Sequence, residues 1–259
     1  MAWRSLWLAL CTVVMAGSLN AQPAKEFAPT GTLRVGVLMV SYFAIDAGGL
    51  KGPVPDLGGE LARRLGVAAE LIKYDSPAAI IAAFKAGALD VTFVGITADR
   101  AAAFDFGPVV LDLQTTYLVP AASPIKAIAD VDREGVRLLV PARSAQDAFL
   151  KKTIAKATIV NVSVEKPDEA VALLKAGQAD AFSHVVPMLV NAQKLLPDAR
   201  ILPGSYYNVP IAIGYAKGRP AAVADYAKAF AADVKTSGFA QRALERAGDT
   251  VRGVVVAGP

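Results

Sequence analysis

Cysteine and histidine are almost absent: the 259 residues contain one of each, Cys11 and His184. A disulfide needs two thiols and a structural zinc site four Cys or His ligands. Both are therefore excluded, and a Ser/His/Asp mechanism would have to run through His184 alone. Charge is also thin, at 19% of residues, and 27 Lys and Arg against 23 Asp and Glu leave a net +4. No basic run exceeds the pairs Arg63-Arg64 and Lys151-Lys152, which excludes a nucleic-acid-binding stripe. No apolar stretch reaches the roughly 20 residues needed to span a membrane.

What the chain has in quantity is apolar surface, 54% of residues, enough to bury a sizeable core. Part of it is concentrated at the start. Arg4 is followed by a hydrophobic run from Leu6 to about Ala16 and then Gly17-Ser18-Leu19-Asn20-Ala21, the layout of a secretory signal peptide over residues 1–21. Lipidation at Cys11 is the weaker reading, because Leu10 precedes the cysteine where a small residue is wanted. Cleavage after Ala21 removes Cys11 and leaves a cysteine-free exported protein.

Beyond that segment, strand and helix signals alternate. Thr32 to Leu38 is a short β-branched strand. Gly52 to Leu65 reads as a helix with Leu57, Leu61 and Leu65 on one face and Gly66 as its stop. Ala69 to Tyr74 is strand-like, Ser76-Pro77 opens a helix ending at Gly87, and Val91 to Val94 is a strand again. Such alternation predicts parallel βαβ units. The segments IIAAFKAGALD (Ile80 to Asp90) and AVALLKAGQAD (Ala170 to Asp180) repeat Lys-Ala-Gly-x-x-Asp at a spacing of 90 residues. Each copy is an apolar helix, a glycine able to take the left-handed C-terminal conformation, and a strand entered through Asp. Val136 to Val140 precedes the second copy as the first strand precedes its own. Two similar α/β lobes follow, connected through Asp112 to Val119 and Tyr207 to Tyr215. The first lobe is then discontinuous, residues 22–111 plus 210–259, and the second covers 112–209. A small ligand is expected in the cleft between them.

The chain resembles the bacterial extracellular solute-binding proteins of family 3, which feed polar amino acids and related carboxylates to ABC importers. The likeness runs through LRVGV (Leu33 to Val37), DLGGELARRLGV (Asp56 to Val67) and AFKAGALDVTFVGITADRAAAFDFGPV (Ala83 to Val109). It continues in TYLVPAASPIKAIADVD (Thr116 to Asp132), LLKAGQADAF (Leu173 to Phe182) and TSGFAQRAL (Thr236 to Leu244). Order and spacing together make it specific. The resemblance implies an α/β fold of the type II periplasmic binding protein kind, two Rossmann-like lobes joined by two hinge strands. It also implies a periplasmic monomer with no cofactor and no metal, whose partners are a small anionic or zwitterionic solute and an inner-membrane permease.

The resemblance also places a ligand site. The loop Gly95-Ile96-Thr97-Ala98-Asp99-Arg100 corresponds to the family's carboxylate-binding loop, with Gly95, Thr97 and above all Arg100 as contacts, since a guanidinium meets a carboxylate with two parallel bonds. Tyr42 and Phe43 fall where the family has an aromatic wall, or else in lobe core. Ser144 and Ala145, after Arg143, correspond to the backbone donors of the second lobe, and Ser144 reads equally as a helix cap. Tyr207, with Tyr206 and Asn208, is a cleft or a loop-surface residue. Members that bind α-amino acids usually carry an acid about five positions beyond the equivalent of Asp180; this chain has Val185, which cannot neutralise an ammonium. A carboxylate-bearing ligand without a required α-amino group is the expectation, with His184 either touching it or serving as a structural hydrogen-bonder. The rival readings are a periplasmic cyclohexadienyl dehydratase-like enzyme on the same scaffold, with Asp46 or Asp99 as its acid, and a ligand-sensing partner of a membrane receptor.

Overall fold

The computed structural model describes residues 21–40, 42–163 and 167–258. The expected signal peptide therefore lies, but for Ala21, outside the described residues. A short helix α1 (Ala21–Phe27) leads into the first βαβαβ unit: β1 (Thr32–Leu38), a two-residue-per-strand hairpin of β2 (Ile45–Asp46) and β3 (Leu50–Lys51), α2 (Pro53–Leu65), β4 (Ala68–Tyr74), α3 (Pro77–Lys85) and β5 (Val91–Gly95). After α4 (Ala98–Ala103) the chain runs the length of the molecule in β6 (Phe104–Val119). A second βαβαβ unit follows: β7 (Arg137–Pro141), α5 (Ala145–Thr153), β8 (Thr158–Val162), α6 (Pro167–Lys175) and β9 (Ala181–Val185). Helix α7 (Val186–Leu195) and β10 (Arg200–Ile201) lead to the second long strand, β11 (Tyr207–Ala216). Helices α8 (Ala221–Thr236) and α9 (Phe239–Ala247) and the strand β12 (Val254–Val256) close the described chain.

The two units have the same topology. In the first, β4, β1 and β5 are parallel in that order and β11 adds antiparallel to β5; in the second, β8, β7 and β9 are parallel in that order and β6 adds antiparallel to β9. The strands β6 and β11 pair with each other from Phe104↔Ala216 to Thr115↔Tyr207, so one sheet passes through both lobes and the crossing strands join them. The architecture is the two-lobed α/β fold of type II periplasmic binding proteins. Both segments read from the sequence as connectors lie in these strands. Gly107-Pro108 falls inside β6 and does not end it. The ladder skips there instead, from Ala212↔Val109 to Gly214↔Phe106, because proline has no N–H to donate and a bulge absorbs it.

Packing follows the sequence periodicity. The face of α2 carrying Leu57, Leu61 and Leu65 is buried, each side chain contributing about 1.5–3 kcal/mol by leaving water. The helix stops at Gly66, whose φ of 72° is left-handed. The first lobe has one core, from Phe27 through Leu113 and again from Val209 to Val254. The second has two smaller ones, around Leu118, Phe182 and Leu189 on one face and around Tyr117, Leu138 and Val140 on the other. No helix among the described residues is long and apolar enough to cross a membrane.

Candidate functional site

Strand β5 is buried along its whole length and ends at Gly95. Thr97 then caps α4, its hydroxyl accepting the Arg100 N–H at 3.4 Å. This turn folds Arg100 back on the strand, where its Nη1 donates to the Gly95 carbonyl at 2.6 Å. A Cβ at position 95 would stand 3.2 Å from Nη1, so the glycine gives the guanidinium room to lie flat. Arg100 is half-buried, and no described carboxylate forms an ion pair with it; its charged or ionisable neighbours are Tyr42 and the exposed Asp99. Burial lowers its pKa, and the Tyr42 phenol is pushed up to about 12 by burial, less what Arg100 restores. A partly desolvated cation held by one carbonyl stands ready to accept an anion.

In the second lobe, β7 ends in a turn closed by the Ser144 N–H donating to Pro141 O at 3.3 Å. Ser144 caps α5, accepting the Asp147 N–H at 3.0 Å. Asp147, 4% exposed, reaches back and accepts the Arg143 N–H at 3.0 Å, Lys151 Nζ at 2.9 Å and Asn161 Nδ2 at 2.9 Å. Burial opposes its ionisation, but Lys151, Asn161 and the Arg143 N–H together hold its pKa below the usual range. Ser144 thus caps the helix, while Asp147 holds the preceding residue through the Arg143 N–H.

These two loop-and-helix starts face each other across a cavity of about 440 Å³, lined by Thr97 and Asp99 from the first lobe, by Arg143, Ser144, Phe149 and Lys152 from the second, and by Tyr207. Phe149 stacks on Tyr207 at 4.7 Å and 21° and touches Tyr206 at 5.9 Å. Tyr206 stacks in turn on the buried Tyr117 at 4.7 Å and 20°, and its hydroxyl shares a hydrogen bond with Ser183. An aromatic ladder thus runs from the core of the second lobe to the cavity wall.

Of the residues singled out in the sequence, Thr97, Ser144, Ala145 and Tyr207 line this cavity together. Gly95 and Arg100 lie behind the Thr97 loop, and Tyr42 lies beside Arg100. Phe43, 3% exposed, packs edge-on to Tyr42 at 4.8 Å as part of the first core. His184 is not among the cavity residues. It is 8% exposed in β9, its Nδ1 accepts the Val185 N–H at 2.8 Å, and burial pushes its pKa down to about 4. Val185 ends β9 and precedes α7, 3% exposed and packed into the first lobe's core. Phe149, Lys152 and the exposed Ile96 belong to the cavity and carried no sequence signal beyond helix or loop placement. Among the described residues no group of three or more His, Cys, Asp or Glu is placed to hold a metal ion.

Residues 33–247 match the bacterial extracellular solute-binding proteins, family 3. No curated protein matches the chain. Among solved structures, an ancestral amino acid-binding protein, a precursor of cyclohexadienyl dehydratase, is 26% identical with a TM-score of 0.63, covering 86% of this chain and 98% of its own. A binding component of an ABC transporter from Wolinella succinogenes, complexed with lysine, is 26% identical with a TM-score of 0.64, covering 83% and 95%. The L-cysteine solute receptor of Neisseria gonorrhoeae shares the fold, at 23% identity and a TM-score of 0.63 over 91% and 98%. A match across 33–247, on a fold whose two α/β units face each other over a lined cavity, means that this chain belongs to the bacterial extracellular solute-binding proteins, family 3.

Proposed function

We propose that the protein is exported by its first 21 residues and, as a periplasmic monomer, captures a small carboxylate-bearing solute between lobes 22–111 plus 210–259 and 112–209. It delivers that solute to the permease of an ABC importer. The observation that carries this is Arg100, a half-buried guanidinium that meets a carbonyl and no described carboxylate, set behind the Thr97 loop that lines the cavity between the lobes. Thr97 and the start of α5 supply further donors. Closure would bend the crossing strands β6 and β11 as a hinge, excluding water and strengthening each polar contact. The structural relatives are named for amino acids, but by the family resemblance Val185 falls at the position where amino-acid binders carry an acid for the ammonium, so we take the solute to be an acid whose α-amino group is dispensable.

Calorimetry with L-amino acids and the organic acids of matching skeleton tests this. The wild type should bind organic acids, and Arg100→Ala should weaken them about a hundredfold or more, the loss of a bidentate charge-assisted contact. Tight binding of L-amino acids alone, with none of organic acids, would sink it. Small-angle scattering should show contraction on binding. A second reading draws on the likeness to a dehydratase precursor. It needs an acid held protonated in the cavity, yet Asp46 is exposed and held ionised by Lys73, and Asp99 is exposed. Conversion of prephenate to phenylpyruvate by the purified protein would establish it.

A further inference from the structure

We infer that Arg143 is a specificity-determining residue that receives a second acid group, so that the solute is a small dicarboxylate spanning the lobes. This rests on the carboxylate reading above and goes beyond it, because the second-lobe arginine is independent of Arg100.

The first observation is conformational. The turn from Pro141 to Ser144 puts Arg143 at its third position with φ 58°, a geometry that favours glycine because a Cβ crowds the backbone. Every other described residue with positive φ is a glycine. Among the described residues only this position keeps a side chain where the others have none, and its N–H is held in place by the buried Asp147. Backbone strain tolerated at one position points to a use for the residue there.

The second observation is placement. Arg143 lines the cavity between the lobes, together with Lys152, two turns along α5 from Ala145 on the same face. Neither cation forms an ion pair with a described carboxylate: Asp147 is taken by Lys151, and the sole acid in the lining is Asp99. On the first-lobe side Arg100 lies behind the Thr97 loop, outside the cavity lining and also without a described carboxylate. One carboxylate on the solute answers Arg100 and leaves the second-lobe cations unanswered. Two carboxylates answer both, and the apolar stem between them meets Phe149 and Tyr207.

The test is calorimetry of the full mature chain with matched pairs, succinate against butyrate and glutarate against valerate, on wild type and Arg143→Gly. The wild type should bind at least one dicarboxylate tenfold or more tighter than its partner. Arg143→Gly should abolish that preference while binding the monocarboxylate within threefold of wild type. Its melting temperature should stay level or rise, since glycine relieves the turn, which separates loss of contact from loss of fold. Arg143→Lys should restore part of the preference. Equal binding of each pair by the wild type, an undiminished preference in Arg143→Gly, or an equal loss of both acids in it overturns the inference and leaves the carboxylate reading standing. Binding of neither series overturns both.

Discussion

The 90-residue repeat closes the same clamp in both lobes, but not in the same surroundings. In the first, Asp90 accepts the Arg34 N–H at 3.0 Å, Nε at 2.9 Å and Nη2 at 2.8 Å, while Nη1 donates to Gly87 O at 2.7 Å. In the second, Asp180 accepts the Arg137 N–H at 2.8 Å, with Nε and Nη2 both at 3.0 Å, while Nη2 also donates to Gly177 O at 2.8 Å. Each clamp ties the start of one strand to the turn that feeds its neighbour, so Lys-Ala-Gly-x-x-Asp acts as a folding device and lies outside the cavity lining. The difference is burial: the Asp90 side chain is 0% exposed and takes a second cation, Arg219, whereas Asp180 is 33% exposed. The same motif is a core element in one lobe and a surface brace in the other.

That contrast sets the largest expected effect. Asp90→Ala leaves Arg34 and Arg219, each with a side chain one-fifth exposed, without their shared buried carboxylate and should cost about 2–3 kcal/mol, less than breaking a fully buried pair. Asp180→Ala leaves Arg137 free to find water and should cost less than half as much. Urea unfolding of the two variants side by side measures this. Equal losses would mean that the clamps are energetically equivalent and that exposure of Asp180 does not matter.

Acid should separate the lobes by a smaller margin. His184 in β9 of the second lobe has a folded pKa of about 4, below an unfolded value near 6.5, so the unfolded chain takes up the proton first. Its contribution is complete above pH 6.5 and is lost as pH falls from there toward 4, about 2 kcal/mol between pH 7 and 5. In the first lobe Glu60 on α2, hydrogen-bonded to Arg63 against the cost of burial and also paired with Arg64, is held at about 2. Its contribution is full above pH 4.5 and falls only below that. Stability of wild type and His184→Gln at pH 7, 6 and 5 decides the matter. The wild-type slope should flatten in the variant, and an unchanged slope would clear His184.

How much of this was legible depends on how local the cause is. The leucine face of α2, the glycine stop at Gly66 and the paired βαβαβ units follow from periodicity and from one residue's φ preference, and all are readable along the chain. The repeat was legible as a pattern, but its partners, Arg34 and Arg137, lie 56 and 43 residues upstream of their aspartates and belong to a parallel register that sequence spacing does not specify. Nothing in the sequence says where in a strand Gly107-Pro108 sits, and only the ladder with β11 shows it as a bulge. Arg143 is an ordinary loop arginine until its φ is known. Phe149 shows in the sequence as one more apolar residue of α5; its stacking on Tyr207 joins positions that only the crossing strands bring together.

The smallest effect concerns which aromatic pair forms the cavity wall. The first lobe offers Tyr42 and Phe43, the second Phe149 and Tyr207, and only the second pair lines the cavity. Phe149→Leu keeps most of the apolar bulk but loses two ring contacts, each worth about 0.5–1.5 kcal/mol. It should lower stability by about 1 kcal/mol and weaken the solute several-fold, because Tyr207 loses the partner that holds its ring in place. Tyr42→Phe, which removes only a hydroxyl on the Arg100 side, should leave stability nearly unchanged. Calorimetry with whichever organic acid binds the wild type reads both. A several-fold loss in Tyr42→Phe with none in Phe149→Leu would move the wall back to the first lobe, one of the two places the family resemblance allows for Tyr42 and Phe43.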